Sequence, residues 1–214
     1  MTSTDKISEL EKLKKKMLAD EDLPLKKGAT NLVFSDGSPD AEIMFIGEGP
    51  GYWEDQKSLP FVGNAGMLLN QLLASIKLKR EDVFITNVVH HRPPENRDPE
   101  QSELDAYKPY LDEMIKIVDP RVIITLGRFS MGKFMPGVMI SSVHGKPRKV
   151  NFGGAEILVI PMYHPAAALR NGNVKAQMLT DFKNIPDIIK QSEEVKEEKV
   201  EENDEKDIQQ MNLL

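Results

Sequence analysis

The 214-residue sequence contains no cysteine, a single tryptophan and no long apolar run. The first absence excludes disulfides, a thiolate nucleophile and any zinc or iron–sulfur site built on sulfur ligands. Only four histidines remain as soft donors, and no metal site is expected from them. His90 and His91 are adjacent, and neighbours in a strand point to opposite faces, which argues against a shared ligand set. No stretch approaches the roughly 18 apolar residues of a membrane span, and the polar start lacks a signal-peptide core. The expected location is therefore the cytoplasm, with no membrane partner.

A net positive charge is also missing, because the chain carries −6. That charge is concentrated at one end. Residues 191–214 hold nine acids and three lysines, which leaves residues 1–190 with 25 side chains of each sign. A neutral body can carry a local basic face, and the acidic end reads as a disordered tail. Three segments follow: an amphipathic helix packed on the core (1–22), the main domain (23–190) and the tail (191–214). A 40% hydrophobic content over this length suits one domain with a sizeable core, and a monomer is expected.

In residues 4–20, Ile7, Leu10, Leu13, Met17 and Leu18 recur at helical spacing. Residues 23–40 read as an irregular connection. Strands are expected at 41–46, 83–89, 121–126 and 157–162, and helices at 65–76, 100–118, 130–135 and 173–189. Apolar strands that alternate with helices predict an α/β/α three-layer sandwich around a four-stranded parallel sheet. In such sheets ligands bind beyond the carboxyl ends of the strands. Three polar, turn-rich stretches fall there: residues 47–51 (GEGPG), 86–97 (TNVVHHRPPENR) and 164–170 (HPAAALR).

Together these stretches resemble the uracil-DNA glycosylases of family 4. GEGPGYWEDQKSLPFVGNAGMLL is similar to that family's first block, ITNVVHHRPPENRDP to its second and YHPAAALR to its third, across roughly residues 20–189. The resemblance implies a monofunctional enzyme that hydrolyses the N-glycosidic bond of deoxyuridine in DNA. The alternative is a silent relative that binds uracil or DNA without turnover. A free-nucleotide enzyme has only the glycine-rich turn to support it, without the Lys and Ser/Thr of a P-loop.

Base excision requires extrusion of the nucleotide, recognition of its Watson–Crick edge and stabilisation of the leaving anion. Phe61 is the candidate for stacking on the base, with Gly47 and Gly49 beside it. Asn87 can offer both amide atoms to uracil N3–H and O4. His164 can donate to O2, where charge builds as the bond breaks. The sugar becomes cationic, so a water must be positioned, as in glycoside hydrolysis; Glu48, Glu54 and Asn96 are the candidates. Gly49 stands where family 1 enzymes have aspartate, which implies a slower chemical step. Glu54 or Tyr52 would crowd a thymine methyl. Amides at Gly51 and Gly63 could bind phosphates, and Leu169 with Arg170 could wedge into the duplex.

The resemblance also implies four cluster-binding cysteines at positions held here by Asp20, Leu23, His91 and Tyr107. Leucine has no donor atom, so no iron–sulfur cofactor is expected, and apolar packing by Leu23 and Tyr107 would take its place. Finally, Gln210, Met211, Asn212, Leu213 and Leu214 resemble the glutamine-plus-aliphatic peptide that bacterial repair proteins insert into the replication sliding clamp.

Overall fold

In the central strands, successive side chains turn to opposite faces of the sheet and both faces are dry, which calls for helices on each side. The computed structural model describes the backbone of residues 1–211 and the side chains of residues 1–191. Strands β1 (Asp36–Gly37), β2 (Ile43–Gly47), β3 (Phe84–Asn87), β4 (Val122–Leu126), β5 (Arg148–Phe152) and β6 (Ala155–Met162) form one sheet in the order β1-β3-β2-β4-β6-β5. The inner four are parallel to their neighbours. Both edge strands are antiparallel.

The sheet is thus larger than the four strands expected. The two additions lack the apolar run that marks a buried strand. β1 has two residues, and β5 is largely exposed. β5 joins β6 through Gly153 and Gly154, both at positive φ, as a two-residue hairpin turn requires.

The helices are α1 (Ser3–Ala19), α2 (Tyr52–Lys57), α3 (Asn64–Ser75), α4 (Gln101–Val118), α5 (Arg128–Phe134), α6 (Ile140–Val143), α7 (Pro165–Arg170) and α8 (Gly172–Met211). On one face Met44, Ile46, Phe84 and Ile123 pack with Tyr107, Leu111 and Met114 of α4 and with Leu10, Leu13 and Met17 of α1. On the other, Phe45, Ile85, Ile124 and Ile160 meet Leu69, Leu72 and Leu73 of α3 and Phe182 and Ile185 of α8. Ile7 and Leu18, assigned from periodicity to the apolar face of α1, are instead exposed.

The last helix continues to Met211 rather than ending near residue 189, so the stretch read as a disordered tail carries helical backbone. Its Glu, Lys and Gln content favours helix intrinsically. The clamp-like peptide ends outside the described residues. Among those described, no helix is long and apolar enough to cross a membrane.

Candidate active site

The parallel register sets Gly47 directly beside Asn87 and Leu126 beside Met162, so β2, β3, β4 and β6 end along one edge. A cavity of about 290 Å³ opens there. It is lined by Glu48, Gly49, Gly51, Glu54, Phe61, Asn87, Asn96, His164 and Arg170. Three segments far apart in sequence therefore meet at one site. Gly47 lies immediately behind it: a Cβ there would fall 2.4 Å from Asn87 Oδ1 and 2.5 Å from Phe61 Cζ. Only glycine lets the ring and the amide approach this closely.

Asn87 is 2% exposed, and its Oδ1 has no hydrogen-bond partner. A buried, unpaired acceptor is costly to fold around and points to a missing donor. His164 caps α7, its Nδ1 accepting the Ala166 N–H at 3.1 Å. That bond forces the ring hydrogen onto Nε2. Burial, with some help from Arg170, pushes the imidazole down to about pH 4, so the ring is a neutral donor at pH 7. Phe61 lies 5.7 Å from the His164 ring, centroid to centroid.

Glu48 leans on the start of α5, where Phe129 N–H donates to its Oε1 at 3.1 Å. Burial raises its carboxyl above the ordinary range and Asp98 adds to the shift, while the Phe129 amide and Arg128 oppose it. Asn96 has positive φ, and its Oδ1 accepts from Arg92 Nε at 2.8 Å.

Other expected roles change on inspection of the contacts. Glu54 lines the cavity, but its Oε1 accepts the N–H groups of Val62 and Gly63 at 2.9 and 2.7 Å. It therefore shapes the Phe61 loop, and the Gly63 amide is already engaged rather than free for a phosphate. Tyr52 is half exposed and does not line the cavity, whereas Glu54 does. Leu169 is exposed on α7 outside the cavity, not a core contact, and Arg170 reaches the cavity wall. A Cβ on Gly49 would lie 2.8 Å from Val89 Cγ2, so packing against Val89 accounts for glycine at this position.

The model of the Uracil DNA glycosylase superfamily matches residues 34–184. This chain belongs to that superfamily. It is 46% identical over 186 residues to the type-4 uracil-DNA glycosylase of Sulfurisphaera tokodaii, covering 84% of each chain. It is 47% identical over 165 residues to that of Saccharolobus solfataricus, covering 74% of this chain and 76% of the relative. The Archaeoglobus fulgidus type-4 enzyme is 44% identical over 170 residues, or 77% of this chain and 85% of its own.

The iron–sulfur cluster implied by the family 4 resemblance does not fit the residues of this superfamily member. Leu23 is buried in the same apolar cluster as Tyr107, whose hydroxyl shares a 2.7 Å hydrogen bond with His91 Nδ1. Asp20 accepts from Tyr110 instead. His90 and His91 lie beyond β3 in bends, not in a strand, and both rings sit 5.9 Å from Tyr107. The opposite-face argument therefore does not apply to them; burial first, with His91 beside His90 and Lys26 near His91 adding to it and Asp55 opposing it at His91, pushes them down to about 3 and about 4, so both rings are neutral at pH 7.

Sequence reasoning missed the glycosylase fold's clamp on the Phe61 loop. Arg80 donates to the carbonyls of Pro60 and Phe61 and pairs with Asp36 of β1. Phe61 has φ of 53°, a strained value for an aromatic residue. No motif marks Arg80, since its backbone partners lie 19 and 20 residues away and Asp36 lies 44 away.

Proposed function

We propose that this chain hydrolyses the N-glycosidic bond of deoxyuridine in DNA, releasing uracil and leaving an abasic site. The unpaired Oδ1 of buried Asn87, at the base of the cavity, carries the reading. Uracil N3–H supplies the donor it lacks, while the Asn87 amide N–H donates to O4. Cytosine inverts that order and leaves two donors or two acceptors facing each other. Phe61 stacks on the ring. The C1′–N1 bond breaks with its electron pair passing to the base, and neutral His164 donates Nε2–H to O2 as charge develops there. A neutral donor suits this step, because it strengthens with the anion and needs no proton of its own to be lost.

The Glu48 carboxylate faces the oxocarbenium-like sugar and, with the Asn96 amide, orients the water that adds to C1′. In the sum the hydroxyl of water ends on C1′ and its proton on uracil. No lysine lines the cavity, which supports hydrolysis without a Schiff base and so without strand cleavage. Backbone amides near Gly51, together with Leu169 and Arg170 at the rim, hold the strand. The protein works as a cytoplasmic monomer, and residues 210–214 engage the sliding clamp; a pull-down that is unchanged by their deletion would remove that partner. A silent binder is not favoured, because the Glu48 carboxylate, the neutral His164 donor and the Asn87 amide all line one cavity, which supports turnover.

The test is an end-labelled oligonucleotide with one uracil opposite G, opposite A or unpaired, treated with alkali after incubation. Wild type gives alkali-dependent cutting, which Asn87→Ala and His164→Ala lose. Binding without cutting by the wild type would overturn the proposal.

A further inference from the structure

Helix α2 is built inside out. Its one buried side chain is a carboxylate, Asp55, which accepts the N–H groups of Thr30 and Asn31. Its two aromatic rings face solvent, with Tyr52 49% and Trp53 57% exposed. Nothing in the fold covers them among the described residues, and large exposed rings are usually kept for a partner. They are arranged rather than scattered. Tyr52 and Trp53 meet edge to face at 5.1 Å, and the Arg92 guanidinium lies 5.3 Å from the Tyr52 ring centre.

This cluster is continuous with the cavity. Arg92 also holds Asn96, which lines it. Glu54, next to Trp53, lines it too, and Trp53 Cδ1 lies within 3.7 Å of the position a Gly63 Cβ would take, against the Phe61 loop. Two exposed rings and a cation at the mouth of a base-sized cavity have the chemistry of a single-strand nucleic-acid platform.

We infer that Tyr52, Trp53 and Arg92 receive the unpaired base next to the extruded uracil, so that the site is built for uracil in single-stranded DNA. This rests on the uracil-DNA reading of the cavity. In a duplex the neighbouring base is paired and stacked within the helix, and the platform has nothing to take. An unpaired neighbour is free to leave its strand and lie on the rings. Every base has a π-face, so the platform adds affinity without adding sequence preference.

Trp53 is the only tryptophan in the chain, so its emission reports the platform directly. Titration of the full chain with single-stranded oligo-dT, which contains no uracil, quenches that emission to saturation. The same length of duplex, or free uracil, does not. Trp53→Ala raises KM for a single-stranded uracil oligonucleotide about tenfold and leaves kcat within about twofold, while Trp53→Phe restores KM. KM on duplex substrate is unchanged. Absence of quenching by oligo-dT, an unchanged single-strand KM, or an equal rise on both substrates would overturn the inference. If wild type released no uracil from any substrate, the proposed function would fall instead, and the oligo-dT titration would still decide the platform.

Discussion

Replacing Asn87 with alanine separates a residue kept for substrate from one kept for the fold. Its Oδ1 is buried without a partner, a condition that costs about 1–3 kcal/mol in the free protein. Truncation to alanine removes that cost and leaves a small void worth about 1 kcal/mol in the opposite sense. The balance runs from zero to about 2 kcal/mol of added stability, or up to about 6 °C in Tm at about 3 °C per kcal/mol for a chain of this size. Excision moves the other way. Two hydrogen bonds to the edge of the base, together about 3–4 kcal/mol, are lost from the transition state, so single-turnover excision falls about 100- to 1000-fold. The assay pairs a thermal melt, with and without free uracil, with single-turnover cutting of a labelled uracil oligonucleotide. Uracil should raise the Tm of wild type and not that of the variant. A Tm lowered by several degrees, with activity lost only in proportion to unfolded protein, would show that Asn87 serves the strand end and would refute the reasoning.

Glu48 must be charged to face the sugar cation, and burial favours its neutral form, so activity is present above its raised pKa and lost as pH falls through it. The acid limb should lie above 4.5 and vanish in Glu48→Gln, which loses about 100-fold at pH 7; a limb at or below 4.5 counts against this role. His164 adds no limb near 6.5, because it stays neutral down to about pH 4. Leu23→Ala should lower Tm by about 6–15 °C, from about 2–5 kcal/mol of lost packing, with excision unchanged at 25 °C; an unaltered Tm would sink the idea that Leu23 and Tyr107 plug the cluster position. Arg80→Ala frees the Phe61 loop from a backbone strain of about 1–3 kcal/mol, and kcat/KM should drop at least about tenfold; normal kinetics would show that the loop holds itself. Gly49→Asp is best tested with Val89→Ala, which makes room for the new side chain, and a single-turnover rate no faster than that of Val89→Ala alone would argue against the water site next to Glu48.

Some of this was legible because its cause is local. The short apolar runs at residues 41–46 and 121–126 read as buried strands, and glycine, asparagine and histidine at strand ends announce a site. The antiparallel edges were not, since β1 is two residues long and β5 alternates with solvent. β5 did leave a cue in Gly153-Gly154, a hairpin signal that went unread. Glu54 was chosen for the water because a carboxylate in a cavity loop can serve either substrate or backbone. The Val62 and Gly63 amides that claim it are eight and nine residues on, beyond any helical or strand period. His90 and His91 were misread by extending β3 two residues past Asn87 and more, where the chain bends.

The sequence by itself determined the family, the order of the four inner strands and their helices and the candidate groups for reading and releasing uracil, because those follow from side-chain chemistry and short periods. Tertiary structure decided which of those groups are free to act. Asn87 Oδ1 is left without a partner, His164 is fixed as a neutral Nε2 donor by a backbone amide, and Glu48 is raised by burial, whereas Glu54 and the Gly63 amide satisfy one another. The physical reason is that availability depends on desolvation and hydrogen-bond partners, and both are supplied by residues distant in the chain that only folding brings within 3 Å or so.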